Sequence, residues 1–366
     1  MLSDKAMQIS PSPTLSIDAK AKKLKSEGKN IVGFGAGEPD FDTPVHIKEA
    51  AVEAINQGFT KYTPASGIPE LKKAICARLL KDSGTVYQPQ QIVISNGAKH
   101  SLDNVFSALL NKGDEVLIPA PYWVSYPELV KLNEGVPVIV ETLEEHNWKL
   151  KAAQIKKALT TRTKALVLNS PSNPTGQIYN REELEEIASV ALENNIFIIS
   201  DEIYEKLIYD RNKHVSISTL GDEIQKLTII VNGVSKSYAM TGWRIGYTAS
   251  DPEIATAMAG IQSHNTSNPN SIAQKAAYAA LSGPQDCVEE MRQTFEKRRN
   301  FMLEHILAMP YLSCATPQGA FYLFINIEET FPLKFRGIAV ENSDRFAELL
   351  LEHYMIALVP GRGFGA

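Results

Sequence analysis

Hydrophobic and polar positions change their period several times along the middle of this chain. Short apolar runs at 92–94, 115–118, 136–140, 165–168, 196–199 and 228–231 have the length and flanking turn residues of strands. Between several of them the spacing becomes helical, as in Leu102, Val105, Phe106 and Leu109, or across 182–193. Strands that are apolar throughout must be covered on both faces, so the pattern predicts an α/β fold around a mostly parallel sheet. Beyond about Gly283 the texture changes to a long charged helix (288–307), an isolated strand (321–327), a helix near 344–352 and a last strand at 356–359. That order predicts an α+β companion unit. The segment 19–24 also reads as helical, with Pro11, Pro13 and Gly28 as breakers around it, and is expected to pack on the companion.

Composition narrows the function classes. The chain has 366 residues, 44% hydrophobic and 22% charged, which excludes disorder and suggests about two domains. A net charge of −5 argues against nucleic acid or an anionic membrane as the main partner. No apolar run approaches the ~20 residues of a membrane helix, and the first residues lack the apolar core of a secretory signal. Cys76, Cys287 and Cys314 are scattered and odd in number, so a reducing compartment, the cytoplasm, is expected. No histidine has zinc-site spacing, and no phosphate-binding P-loop is present. Gly33, Gly35 and Gly37 follow an apolar pair, but their spacing is GxGxG and Glu38-Pro39 comes next. They read as a loop where a ligand approaches the backbone, not as a dinucleotide fingerprint.

The candidate chemistry gathers where strands end. The run from Val231 to Tyr247 leaves a strand through small residues and presents Lys236, then Arg244 eight positions later. A lone loop lysine is usually a solvated one, but at the end of a buried strand it is also placed to attack a carbonyl as a Schiff-base nucleophile. Asp201 closes the strand before it, with Tyr204 just beyond, and carboxyl ends of strands are where open parallel sheets bind ligands. Asn173-Pro174-Thr175-Gly176 ends another strand, and by itself is only a turn signal. Gly97, Ala98 and Lys99 pass from strand to helix through small residues, a cradle for an anion. Lys99 sits in the first helical turn, where the macrodipole disfavours a cation unless an anion lies nearby.

Taken together these stretches resemble the class I aminotransferases, fold-type I enzymes that use pyridoxal 5'-phosphate, near the aspartate aminotransferases of the bacterial and archaeal branch. The matching segments are Ala36 to Pro44, Lys61 to Gly67, Pro121 to Pro127, the Asn-Pro-Thr-Gly turn, Asp201 to Tyr204 and Lys236 to Tyr247, in the family's order. The resemblance implies a large domain (41–283) around a seven-stranded sheet and a small domain formed by 284–366 with the segment 1–40. It implies that Lys236 holds the cofactor covalently and shuttles the substrate proton, while Asp201 pairs with the pyridine nitrogen. Asn173 and Tyr204 would hydrogen-bond the ring 3-oxygen, and Trp123 would stack on the ring. Gly97, Ala98, Lys99 and Arg244 would hold the phosphate, with Tyr62 reaching the phosphate of a neighbouring subunit, hence a homodimer. Gly37 would meet the substrate α-carboxylate through its backbone, and Thr14 would lie in a stretch that closes over substrate.

The implied reaction moves an amino group between aspartate, or a similar amino acid, and a 2-oxo acid such as 2-oxoglutarate, in two half-reactions. Aromatic or prephenate transamination and lyase chemistry on the same fold remain alternatives. Lys99 is expected either to meet the side-chain carboxylate of a dicarboxylic substrate or only to support the phosphate. A transcription regulator built on this fold would carry a DNA-binding module ahead of the first motif, which here opens at Ala36. Two departures stand out. Gly233 occupies a place where many relatives carry a phosphate-contacting serine, which Ser235 or Ser237 would have to replace. The arginine that fixes the α-carboxylate in the family is expected beyond Ala366, and Arg362 lies too close to the last strand to take its role.

Overall fold

In the computed structural model, residues 2–3, 6–7, 9 and 13–365 are described. Seven strands form the central sheet: β1 (Ile92–Ser95), β2 (Glu115–Ala120), β3 (Val136–Glu141), β4 (Thr163–Asn169), β5 (Phe197–Asp201), β6 (Thr228–Gly233) and β7 (Gly246–Ala249). Their order is β1-β7-β6-β5-β4-β2-β3, and only β7 runs antiparallel to its neighbours. The strand side chains alternate between two packed layers. Val93, Val116, Ile118, Val167, Ile199 and Val231 meet Leu102, Val105, Phe106 and Met258 on one face. On the other face, Ile92, Ile94 and Ile230 meet Leu71, Ile75 and Ala276, while Leu117, Leu166 and Ile198 meet Leu184, Ile187 and Ala191. Each fully buried Leu, Ile or Val contributes about 1.5–3 kcal/mol, so strands apolar on both faces are stable only between two helical layers.

The six apolar runs of the sequence are β1 to β6. The seventh strand is new: β7 begins at the end of the Lys236–Tyr247 block and runs past it to Ala249, and Gly246 faces Gly233 on β6 and Ser95 on β1. A Cβ on Gly246 would lie 2.2 Å from the Ala98 nitrogen, so the glycine lets this strand press against the start of the helix Ala98–Leu109.

The companion unit is helical and sparsely stranded. Asp286–Leu307 is the long charged helix, and Ser343–Tyr354 follows later. The seven-residue strand expected at 321–327 is corrected: only Ile325–Asn326 pairs, with Ser313–Cys314. Phe321 and Tyr322 instead turn toward the site described below. The N-terminal helix spans Pro13–Ser26, so Pro13 opens it rather than breaking it. Its Ala21 packs with Ile31, Leu351 and Ala357, and Val32–Gly33 pairs in parallel with Ile356–Ala357. The helix Pro13–Ser26 and the strand Val32–Gly33 thus dock on C-terminal elements. Among the described residues no helix is long and apolar enough to cross a membrane.

Candidate active site

Because β1, β2, β4, β5 and β6 are parallel, the segments that follow them all leave the sheet at one edge. Asp201 stands there at the end of β5, 3% exposed. Its Oδ2 accepts a 2.6 Å hydrogen bond from the Tyr126 hydroxyl, and Oδ1 accepts one of 3.2 Å from the Ile203 N–H. Burial pushes the carboxyl up to about 6, against these two donors and the Lys236 ammonium, which favour the ionised form. Beside it on β4, the Asn169 amide donates to the Asp201 carbonyl and its oxygen accepts the Asn173 N–H at 2.7 Å. That bond fixes the start of the Asn-Pro-Thr-Gly turn.

Lys236 follows β6. Its Nζ donates to the Gly37 carbonyl and lies 5.9 Å from the Tyr204 ring centroid and 5.7 Å from that of Phe321. Burial pushes the ammonium down to about 8, with Glu38 and Asp201 opposing and Arg244 assisting. A lysine whose amine is partly neutral near physiological pH, close to a buried carboxylate, is equipped for nucleophilic and proton-transfer work.

Tyr204 hydrogen-bonds the Tyr322 hydroxyl at 2.6 Å and meets the Asn173 side chain. Burial and the neighbouring Tyr322 and Asp201 hold its phenol well above its ordinary value. The Tyr322 hydroxyl also lies 3.7 Å from where a Cβ on Gly37 would be.

The anion end of the site is made at the start of the helix Ala98–Leu109. Gly97 caps it with φ of 88° and no side-chain cap, and its own N–H donates to the Ser95 carbonyl at 2.8 Å, while the first helical N–H groups have no intrahelical acceptor. Ser95 behind this turn is tied to Gln262 at 2.8 Å, as is Asn104, which makes the cradle rigid. The exposed Arg244 guanidinium donates to the Thr241 and Asn96 carbonyls. Lys99 has its Nζ 5.0 Å from the Trp123 ring, and its ammonium is pushed down by burial and by Arg244. Among the described residues neither cation is paired with a carboxylate. Two like charges converging on a helix N-terminus favour a doubly charged anion.

Six of the residues singled out in the sequence are therefore linked by contacts and charge interactions: Lys236 with Asp201, Tyr204 and Arg244, Tyr204 with Asn173, and Arg244 with Gly97. Gly37 accepts from Lys236, Lys99 feels the charge of Arg244 and lies against Trp123, and Ala98 follows Gly97. Tyr62 is not among these residues: its side chain is 91% exposed. Thr14 lies on the N-terminal helix, and its side chain is outside the described residues. Arg362 pairs with Asp344 at 3.5 Å, on the helix Ser343–Tyr354.

Tyr126, Phe321, Tyr322 and Glu38 were not singled out. Tyr126 had a signal, its place three residues after Trp123, one helical turn away. Phe321 and Tyr322 were concealed by their strand-like alternation. They reach the site because Gln318 and Gly319 both donate to the Gly176 carbonyl, and Ala320 donates to that of Leu207. Gly176, with φ of 69°, has no room for a side chain, since a Cβ would lie 2.6 Å from the Gly319 oxygen. The Asn-Pro-Thr-Gly turn is thus also a docking surface for the companion unit.

The family model described as "Aminotransferase class I and II" matches residues 29–366. The chain belongs to this family. It is 52% identical over 365 residues to an aspartate aminotransferase of Geobacillus stearothermophilus, covering 100% of this chain and 92% of that protein. A probable aspartate/prephenate aminotransferase of Aquifex aeolicus is 47% identical over 367 residues, with coverage of 100% and 92%. Among solved structures, the aspartate aminotransferase of Rhizobium meliloti superposes with a TM-score of 0.97 at 40% identity, covering 100% of this chain and 92% of that one. That of Thermus thermophilus with maleate gives 0.93 at 42%, again covering 100% and 92%. This chain is therefore an aminotransferase of fold type I. Its family works with pyridoxal 5'-phosphate, and the residues present suit that group. The side-chain-free cradle at Gly97 with two cations that pair with no carboxylate among the described residues, a buried carboxylate and a depressed lysine suit its phosphate, ring nitrogen and carbonyl in turn.

Proposed function

We propose that this aminotransferase binds pyridoxal 5'-phosphate at the sheet edge and moves an amino group between aspartate and 2-oxoglutarate. The observation that carries the reading is the juxtaposition of Lys236, depressed to about 8, with the buried Asp201. When bound, the cofactor supplies a carbonyl that takes up the amino group and a ring that draws electrons from the substrate α carbon. Lys236 would anchor it covalently and, once displaced by the incoming amino group, would as a neutral amine carry the α proton of the amino acid to the cofactor, and a proton the other way in the opposite half-reaction. Asp201 holds the ring nitrogen protonated, and the Tyr204 hydroxyl and Asn173 amide donate to the ring oxygen. Trp123 covers one ring face. Ala98 and Lys99 would offer N–H groups to the phosphate beside Gly97, whose own N–H donates to the Ser95 carbonyl at 2.8 Å, and Arg244 would close on it with a planar fork.

The substrate class follows from charge. The Gly37 N–H meets the α-carboxylate, while Lys99, cationic and without a carboxylate partner among the described residues, suits a second carboxylate on the substrate. Relatives named aspartate/prephenate aminotransferases make prephenate a second candidate acceptor. We further propose a homodimer in which the exposed Tyr62 hydroxyl reaches the partner's phosphate, a small domain built from 1–40 and 284–366 beside a large one at 41–283, and a cytoplasmic location, which the three unpaired thiols support.

The test supplies 15N-aspartate and 2-oxoglutarate to the cofactor-loaded protein and follows products by mass spectrometry. Transfer predicts 15N-glutamate and oxaloacetate. 15N-ammonia with fumarate, or 15N-alanine with carbon dioxide, and no 15N-glutamate would replace the reading with a lyase.

A further inference from the structure

We infer that Tyr126 is a positioning residue for the cofactor site, setting the Asp201 carboxylate by a hydrogen bond and the Trp123 indole by an edge contact. Tyr126 is 2% exposed and lies in the first turn of the helix Ser125–Leu132. Its hydroxyl donates to Asp201 Oδ2 at 2.6 Å, while the Ile203 N–H holds Oδ1. One donor on each oxygen fixes the carboxylate's plane and leaves its remaining lone pairs directed by the protein, not by water. The ring of the same tyrosine meets Trp123 at 5.4 Å between centroids and 86° between planes, the edge-to-face geometry aromatic pairs favour. A single side chain therefore locks two groups that approach the cofactor ring from different directions, its nitrogen and its face. Tyr126 itself touches neither reacting atoms nor solvent, and packs with Leu129, Val130 and Val167 in the sheet's core layer.

The hydroxyl also has an electrostatic consequence. Asp201 is desolvated, and Tyr126 is the largest influence keeping it ionised. Without that donor the buried acid holds its proton to higher pH and the ring nitrogen loses its anionic partner.

This inference rests on Asp201 being the cofactor's partner, so the test separates the two. Pyridoxal 5'-phosphate is titrated into the cofactor-free protein from pH 5 to 9, following its bound absorbance and tryptophan fluorescence. The set comprises wild type, Tyr126→Phe, Tyr126→Leu, Asp201→Asn and the double variant Tyr126→Phe/Asp201→Asn. Tyr126→Phe is expected to weaken binding roughly ten- to hundredfold near pH 7, with the pH dependence moved upward. In the Asp201→Asn background the same substitution is expected to change little, because the carboxylate it serves is gone. Tyr126→Leu should lose further affinity through Trp123. A purely structural tyrosine would lower thermal stability equally in both backgrounds and leave the pH dependence in place, which would overturn the inference. Asp201→Asn binding the cofactor like wild type would overturn the underlying assignment of Asp201.

Discussion

The Arg244 guanidinium occupies the space that a side chain on Gly97 would need: a Cβ built on Gly97 would lie 2.2 Å from Nη2 of Arg244. The glycine is required twice, since its φ of 88° is also one that L residues rarely adopt. Gly97→Ala is therefore expected to cost about 1–2 kcal/mol of stability and to push the guanidinium out of the cradle. Thermal melting and cofactor titration together check this. A normal cofactor affinity in the alanine variant would show that Arg244 is not held by this contact.

Among the described residues Arg244 donates only to backbone carbonyls, which leaves its charge for an anion. Arg244→Ala is expected to weaken pyridoxal 5'-phosphate roughly ten- to hundredfold. It should also abolish competition by inorganic phosphate, measured by equilibrium titration. Arg244→Lys should recover part of the loss, because an ammonium keeps the charge without the planar fork.

Cofactor capture should depend on pH through two groups. Asp201 ionises with its value raised to about 6, and Lys236 becomes neutral with its value lowered to about 8. The rate at which the cofactor-free protein captures pyridoxal 5'-phosphate is therefore expected to climb through pH 6 and again through pH 8. Stability follows the same groups with definite signs. Asp201 binds its proton more tightly folded than unfolded, so the cofactor-free protein loses stability as pH rises from 3.8 to about 6. Lys236 binds its proton less tightly folded, so stability returns between about 8 and 10.5. Cofactor-free Asp201→Asn should accordingly melt above wild type at pH 7, and the difference should close below pH 4.

Gly233 faces Gly246 across β6 and β7, and a Cβ on it would lie 2.8 Å from the Ile245 oxygen. Placing the relatives' serine here is expected to destabilise this protein by about 1–3 kcal/mol through overpacking. Denaturant unfolding of Gly233→Ser checks it, and an unchanged midpoint would mean that the two strands separate readily.

Much of this arrangement was legible in the order of residues. Six strands could be read because each is a short apolar run, five of them buried on both faces as a sandwiched sheet requires, while Val136 and Ile139 of the edge strand β3 stay exposed. The seventh was not, because Gly246–Ala249 is short and hidden behind a loop rich in small residues. Asp201, Asn173 and Lys236 stand directly after readable strands, so their shared edge followed from parallel topology. Tyr322 and Tyr126 could not be placed in the same way. Tyr322 arrives from the companion unit by hydrogen bonds between backbones at Gly176 and Gly319, which no side-chain pattern encodes. Tyr126 resembles any core aromatic until Asp201 is found beside its hydroxyl. Arg362 shows the converse, a cation near a glycine-rich loop whose partner in the structure is Asp344.

The central claim is that Lys236 is the covalent anchor of the cofactor. Reducing the cofactor-loaded protein with borohydride converts a lysine–cofactor imine into a stable amine, and peptide mass mapping then locates it. A pyridoxyl phosphate adduct is expected on Lys236 and is expected to be absent from Lys236→Ala. An adduct on another lysine with Lys236 unmodified would contradict it.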